Sequence, residues 1–409
     1  MISHSGKYLW LAAIALWFAS PCLADIRFNT NFEGGSLGTI ETLGEGSYRC
    51  HVRGQQNESG RNRQASWYFF RMDEVGGRDL TITLTDFVGE YNGKPGAVPM
   101  GPGIVPVFSE DGEHWKGVPE VSWDDQAKEA TIKLRPGGNS VWIAHQVPYT
   151  AARLNRLLDE LGRSKDARVE VIGKSARGRD LHLVTVTDPD KPDPGKATVW
   201  LQARQHAWES GTSFVMEGAL RFVTSDEPAA RSLRGRVIFK FTPMVDPDGS
   251  AEGQVRFNAN GFDVNRHWDE VTLARKEDLA RMPEIWYVKK AILGHLDSGK
   301  KIDLMLNLHN TETAEYIETM ASDETSRAIV GRLSDRLVGE TTFRPTRGPT
   351  LGAEGGGTAN VLHSETGLLI LLMEQRIAKD PETGRSPMPE DRLAFGAKLI
   401  AIIAGTILP

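Results

Sequence analysis

The apolar residues of this chain keep two different rhythms, and the change falls near Pro148. From Ile26 to about Val147, short runs alternate between apolar and polar positions, as at 67–72, 80–84 and 130–134. Turn residues punctuate them, for example at 92–96 and at Asp111 and Gly112. A period of two sends alternate side chains to one face, so this half predicts an antiparallel β-sandwich. Beyond Pro148 the pattern changes, with Leu154, Leu157, Leu158 and Leu161 at helical spacing. Strands are then expected over 198–203, 237–241, 302–308 and 368–373, with a helix over 212–223 and a closing helix from about 391 to 403. The run 368–373 is nearly all apolar and therefore belongs in the middle of a sheet covered on both faces. The expected fold class is α/β: a sandwich followed by a domain with a mixed central sheet flanked by helices. In such sheets ligands bind at strand ends, near a topological switch.

The N-terminus adds a separate expectation. Lys7 precedes an apolar run from Leu9 to Ala19, followed by the small-residue exit Cys22, Leu23, Ala24. That layout is a secretory signal peptide, which predicts an exported protein, periplasmic or secreted, with no membrane association after cleavage. The domain reading is then 1–24 leader, 25–147 sandwich and 148–409 catalytic domain. Of the 2 cysteines, only Cys50 would remain, so no intramolecular disulfide is expected. With 48 basic against 54 acidic residues and no basic stripe, a nucleic-acid partner is not expected.

Titratable residues fall where the expected strands stop. His206 and Glu209 follow the strand at 198–203, His309 follows 302–308, and Glu374 follows 368–373. Two imidazoles and one carboxylate leave the fourth position of tetrahedral zinc open to water, the catalytic arrangement, so His206, Glu209 and His309 are the expected ligands of one Zn2+. A carboxylate that ends a buried apolar strand is costly without a partner or a task, which singles out Glu374.

The segment between these positions carries a resemblance. Asp246, Pro247, Asp248 and Gly249, then Arg256, then Asp263, Val264, Asn265 and Arg266 are similar to the Asn-Pro-Asp-Gly to Asp-Leu-Asn-Arg stretch of the zinc carboxypeptidases, the funnelin family. The order His206, Glu209, Arg256, Asn265, Arg266, His309, Glu374 follows the family order. The resemblance implies a metallocarboxypeptidase that hydrolyses the C-terminal bond of a peptide or protein. Glu374 would be its general base and Arg256 would polarise the scissile carbonyl. Asn265 and Arg266 would grip the terminal carboxylate. The N-terminal half and the segment Gly357 to Val361 resemble the cytosolic carboxypeptidase subgroup. Two departures stand out. Ala207 and Trp208 replace the subgroup's Pro-Gly, and the only tyrosine between His309 and Glu374 is Tyr316, earlier than the family's clamping tyrosine. An N-acyl amino acid deacylase or a cell-wall peptide amidohydrolase on the same fold would use the same metal and glutamate. A non-catalytic binding module would have lost one of them, and none is lost.

Overall fold

The computed structural model describes Met1, residues 25–352 and residues 355–408. The leader-like segment therefore lies outside the described residues.

Strands between Arg27 and Ala144 form two five-stranded sheets. Their inward positions follow the period-two pattern: Leu80, Ile82 and Leu84 are buried on one strand, and Ala130, Ile132 and Leu134 on its neighbour. The ladders are antiparallel as expected, except that Ser47–His51 runs parallel to Leu80–Thr85. The reason is topological. The strand between them in sequence, Phe69–Asp73, pairs in the other sheet, so the chain crosses over before it returns. A short hairpin, Gly89–Tyr91 with Lys94–Ala97, stands apart from both sheets.

Thr150 begins the second half by capping a helix, Ala151–Leu161, through a bond from the Arg153 amide to its hydroxyl at 3.2 Å. An eight-stranded mixed sheet follows. Its centre is four parallel strands, in the order Val237–Thr242, Ala197–Ala203, Leu304–Thr311, Ile370–Arg376. Every residue of Ala197–Ala203 and of Val237–Thr242 is buried, as strands covered on both faces require. Helices Ala151–Leu161, Ser210–Thr224, Glu324–Glu340 and Pro389–Ile407 fill one apolar face, and Pro283–Asp297 and Thr358–Thr366 the other. From Ala197–Ala203 the chain goes first to the neighbour on one side and later to the two on the other. The switch point is thus at the C-terminal end of that strand.

The two halves share a core. Trp208, Val255, Ile377 and Ala378 from the second half pack into the apolar cluster of the sandwich. At this seam His145 is 1% exposed. Its ring lies 5.3 Å from Tyr68 and 6.0 Å from Trp208, and neither ring nitrogen has a hydrogen-bond partner.

Burial pushes the His145 pKa down to about 3, so the unfolded chain binds more protons than the folded one at any pH between about 3 and 6.5. Stability from keeping this ring neutral is complete above about pH 6.5 and falls as the pH drops. By linkage, about 2 kcal/mol should be lost between pH 6.5 and 5. The substitution His145→Phe should flatten that slope in urea unfolding at the two pH values. An unchanged slope would reject this role.

Candidate metal centre and catalytic cavity

The chain leaves the strand Ala197–Ala203 through Arg204, which sits at φ +60, a left-handed conformation that costs a non-glycine residue roughly 1–2 kcal/mol. Its fully buried side chain loops back to hold the turn, donating from Nε to the Ala207 carbonyl at 2.7 Å and from Nη1 to Tyr149 O and Ser213 Oγ. That turn presents His206, and Glu209 closes it as the N-cap residue of the helix Ser210–Thr224. Trp208, between them, packs into the sandwich core and also lines the cavity. Its backbone is fixed by a donor bond to Val255 O and by the Gln146 amide on its carbonyl.

His309 and Glu374 were expected just past strand ends. Both lie inside strands instead, and they are direct partners in the parallel ladder between Leu304–Thr311 and Ile370–Arg376. The ladder runs past the last apolar residue because Asn310, Gln375 and Arg376 are buried in polar contacts of their own.

His206, Glu209 and His309 come together, with candidate donor atoms all within 4.8 Å of one another. Nδ1 of His206 lies 2.7 Å from one Glu209 oxygen, and Nδ1 of His309 lies 3.0 Å from the other. On the far side of its ring, His206 Nε2 meets Asp263 Oδ1 at 3.1 Å. A carboxylate there accepts the Nε2 proton and leaves Nδ1 as a bare lone pair. That lone pair and the carboxylate of Glu209, both acceptors, then face each other at hydrogen-bond distance and need a shared cation between them, a proton or a metal ion. Burial would raise the Glu209 pKa, but the two imidazoles outweigh it and hold the group ionised. The donor set is therefore that of one zinc ion.

Asp263 does more than orient His206. Its Oδ2 accepts from Arg256 Nε at 2.6 Å and its Oδ1 from the Asn265 backbone at 2.9 Å. Burial opposes its charge, but Arg256 and His206 hold it well below the ordinary carboxylate range. Arg256 is placed from both halves of the chain. The Gln55 side-chain oxygen accepts the backbone N–H groups of Val255, Arg256 and Phe257 at 3.0, 2.7 and 2.9 Å. Asn265 Oδ1 accepts from the Thr358 backbone and hydroxyl, and its Nδ2 lies 3.3 Å from His309 Nε2. Arg266 donates to the Asn265 carbonyl and, at 3.3 Å, to the Tyr91 hydroxyl. Among the described residues it has no carboxylate partner.

The Glu374 Oε2 atom is buried with no hydrogen-bond partner among the described residues. Burial, and next the charge of Glu209, push the pKa of Glu374 well above the usual carboxylate value. All seven residues line one cavity of about 710 Å³, walled on its other side by Arg63, Tyr91 and Pro99 of the sandwich half. Ahead of Thr358–Thr366, Gly356 is held closely against the Arg266 backbone. A Cβ on Gly356 would meet the Arg266 carbonyl at 1.8 Å, and the Gly356 carbonyl accepts from Trp268 N.

Sequence reasoning passed over Asp263, Arg204 and Gln55. Asp263 had a signal, as the first residue of the Asp-Val-Asn-Arg motif. Arg204 and Gln55 had none, because their roles depend on a left-handed turn and on a contact between distant segments.

Residues 154–325 match the family described as zinc carboxypeptidase, and residues 28–145 match the one described as the cytosolic carboxypeptidase N-terminal domain. An uncharacterised protein of Zymomonas mobilis is 28% identical over 71% of this chain and 69% of its own length. Cytosolic carboxypeptidase 3 of Bos taurus is 26% identical over 77% of this chain, which spans only 32% of that relative. In fold, a metallo-carboxypeptidase from Burkholderia cenocepacia superposes with a TM-score of 0.81 at 23% identity, covering 94% of this chain and 99% of that one.

These matches correct the expectation of an exported, periplasmic or secreted protein. Residues 28–145 match the cytosolic carboxypeptidase N-terminal domain and the named relatives are cytosolic carboxypeptidases, which speaks against that expectation. The physical reason for the misreading is that one lysine before a short apolar run is a weak pattern, produced by any N-terminal segment rich in Ala, Leu and Ile. Among the described residues no helix is long and apolar enough to cross a membrane.

The role of Asp263 in fixing the His206 tautomer predicts that Asp263→Asn weakens zinc binding about 10–100-fold. Competition with a chromogenic chelator would measure it, and an affinity within twofold of the parent would refute the assignment.

Proposed function

This chain belongs to the zinc carboxypeptidase family, and from that premise we propose that it removes the C-terminal residue of peptides or proteins. One observation carries the reading: a zinc donor set, a carboxylate with one buried oxygen unpartnered among the described residues, and an arginine with no acidic partner among them face the same cavity.

His206, Glu209 and His309 would hold the zinc ion, which when bound supplies Lewis acidity to an amide carbonyl and brings the pKa of water toward neutrality. Glu374 is the proton carrier. Its free Oε2 accepts a proton from water and returns it to the departing amine nitrogen. A pKa raised by burial suits this task, because the group must both take and release the proton near neutral pH.

Arg256 is held through Nε by Asp263, which leaves its terminal N–H groups for the carbonyl oxygen as negative charge builds there. A donor aimed in this way is worth about 3 kcal/mol of barrier. Arg266, with Asn265 beside it, takes the free carboxylate of the substrate through charge-assisted bonds. An internal peptide segment offers no such anion and leaves the guanidinium unpaired, so the site discriminates in favour of chain ends.

The test is mass spectrometry on peptide pairs that differ only in a free or amidated C-terminus, using zinc-loaded protein. Loss of one residue from the free-ended member alone is expected. Glu374→Gln should lower kcat by about 10³-fold, and chelation of the zinc should abolish turnover. Cleavage of amidated peptides at equal rate, or none of either with zinc bound, would reject the proposal.

A further inference from the structure

The hairpin that stands apart from the two sandwich sheets reaches into the catalytic cavity. Its turn residues Asn92 and Gly93 both have positive φ, +49 and +75, the backbone of a tight two-residue hairpin turn. Its base is tied down. The Glu90 amide donates to Arg63 O at 2.7 Å, and the Glu90 carboxylate accepts from Arg61 Nη2 at 2.8 Å and from the Asn62 amide at 3.0 Å. Arg63 returns a bond to Val88 O, and a Cβ on Gly89 would meet the Arg63 carbonyl at 2.2 Å. A hairpin fixed at its base and closed by a short turn carries Tyr91 at its tip.

Tyr91 is 42% exposed, yet it lines the cavity together with Arg256, Arg266 and Glu374. Arg266 Nη2 donates to its hydroxyl at 3.3 Å, and the guanidinium carbon of Arg256 lies 5.3 Å from its ring centre. One side chain from the first half of the chain thus contacts both arginines that face the substrate.

We propose that Tyr91 is a substrate-binding residue of this site, whose hydroxyl binds the terminal carboxylate of the substrate together with Arg266. The inference rests on the exopeptidase reading above. A phenol is donor and acceptor at once. Here its oxygen accepts from Arg266 and its proton has no acceptor among the described residues, so an anion laid against Arg266 meets the guanidinium N–H groups and the phenol O–H together. The ring beneath Arg256 holds that guanidinium by a cation–π contact. Tyr316, the other tyrosine on the cavity wall, is not equivalent. It is paired with Glu374 in the sheet and its ring is covered by Arg347 at 3.9 Å, whose own charge is taken by Glu318.

The experiment uses the full chain and two readouts: steady-state kinetics of the zinc-loaded protein on free-ended peptides, and calorimetric binding of an N-acetyl amino acid and its amide to the zinc-free protein. Tyr91→Phe removes only the hydroxyl. It should raise KM about tenfold and weaken binding of the N-acetyl amino acid by a similar factor, with the loss falling on KM rather than kcat. Binding of the amide should not change. Tyr91→Ala, which also removes the ring, should lower kcat as well. A Tyr91→Phe protein with KM and carboxylate binding both within twofold of the parent would overturn the proposal and leave the exopeptidase reading standing. A parent protein that neither cleaves nor binds free-ended ligands would overturn both.

Discussion

A carboxylate withdrawn from water costs several kcal/mol unless other charges and donors replace the lost hydration. Asp263 meets that requirement with His206, Arg256 and the Asn265 amide, and each of these contacts fixes something the site needs. The first sets which nitrogen of His206 is free to bind metal. The second restrains the guanidinium proposed to meet the substrate carbonyl. The third turns the backbone so that Arg266 follows directly into the cavity. Buried charges of this kind are strongly cooperative, because removing one leaves the next unpaired. The zinc donors, Arg256 and the carboxylate grip thus behave as one electrostatic unit.

The sheet supplies the frame for that unit. A one-residue slip in any of the four central parallel strands would exchange its side chains between two differently packed apolar faces, and the same register sets His309 beside Glu374. Fold class and chemistry are read from the same residues here, since the apolar strands that predict a covered sheet also carry the titratable groups.

Legibility in the sequence followed physical range. The sandwich pattern, the covered strands and the candidate residues His206, Glu209, Arg256, Asn265, Arg266, His309 and Glu374 were visible because they depend on local periodicity and on ordered motifs. Strand ends were read short at Leu308 and Met373, where apolar character stops although the ladder does not. Trp208 stands in a departure from the subgroup's motif. It lines the cavity and also packs into the sandwich core, since an indole beside a shared seam buries more surface inward. Gln55 was invisible. Nothing in a lone glutamine announces that its amide will meet three backbone N–H groups some 200 residues later.

That last contact has a consequence for the making of the protein. Gln55 is synthesised long before the backbone it holds, and the Ile370–Arg376 strand that carries Glu374 follows every other described strand of the sheet in the chain. It must slide between Leu304–Thr311 and Tyr316–Thr319, both already made. Until it does, the carboxylate proposed as proton carrier is missing and the cavity lacks part of its lining. The order of synthesis therefore places the carboxylate proposed as proton carrier after the proposed zinc donors and both arginines, so the set is completed by the strand made after all of them.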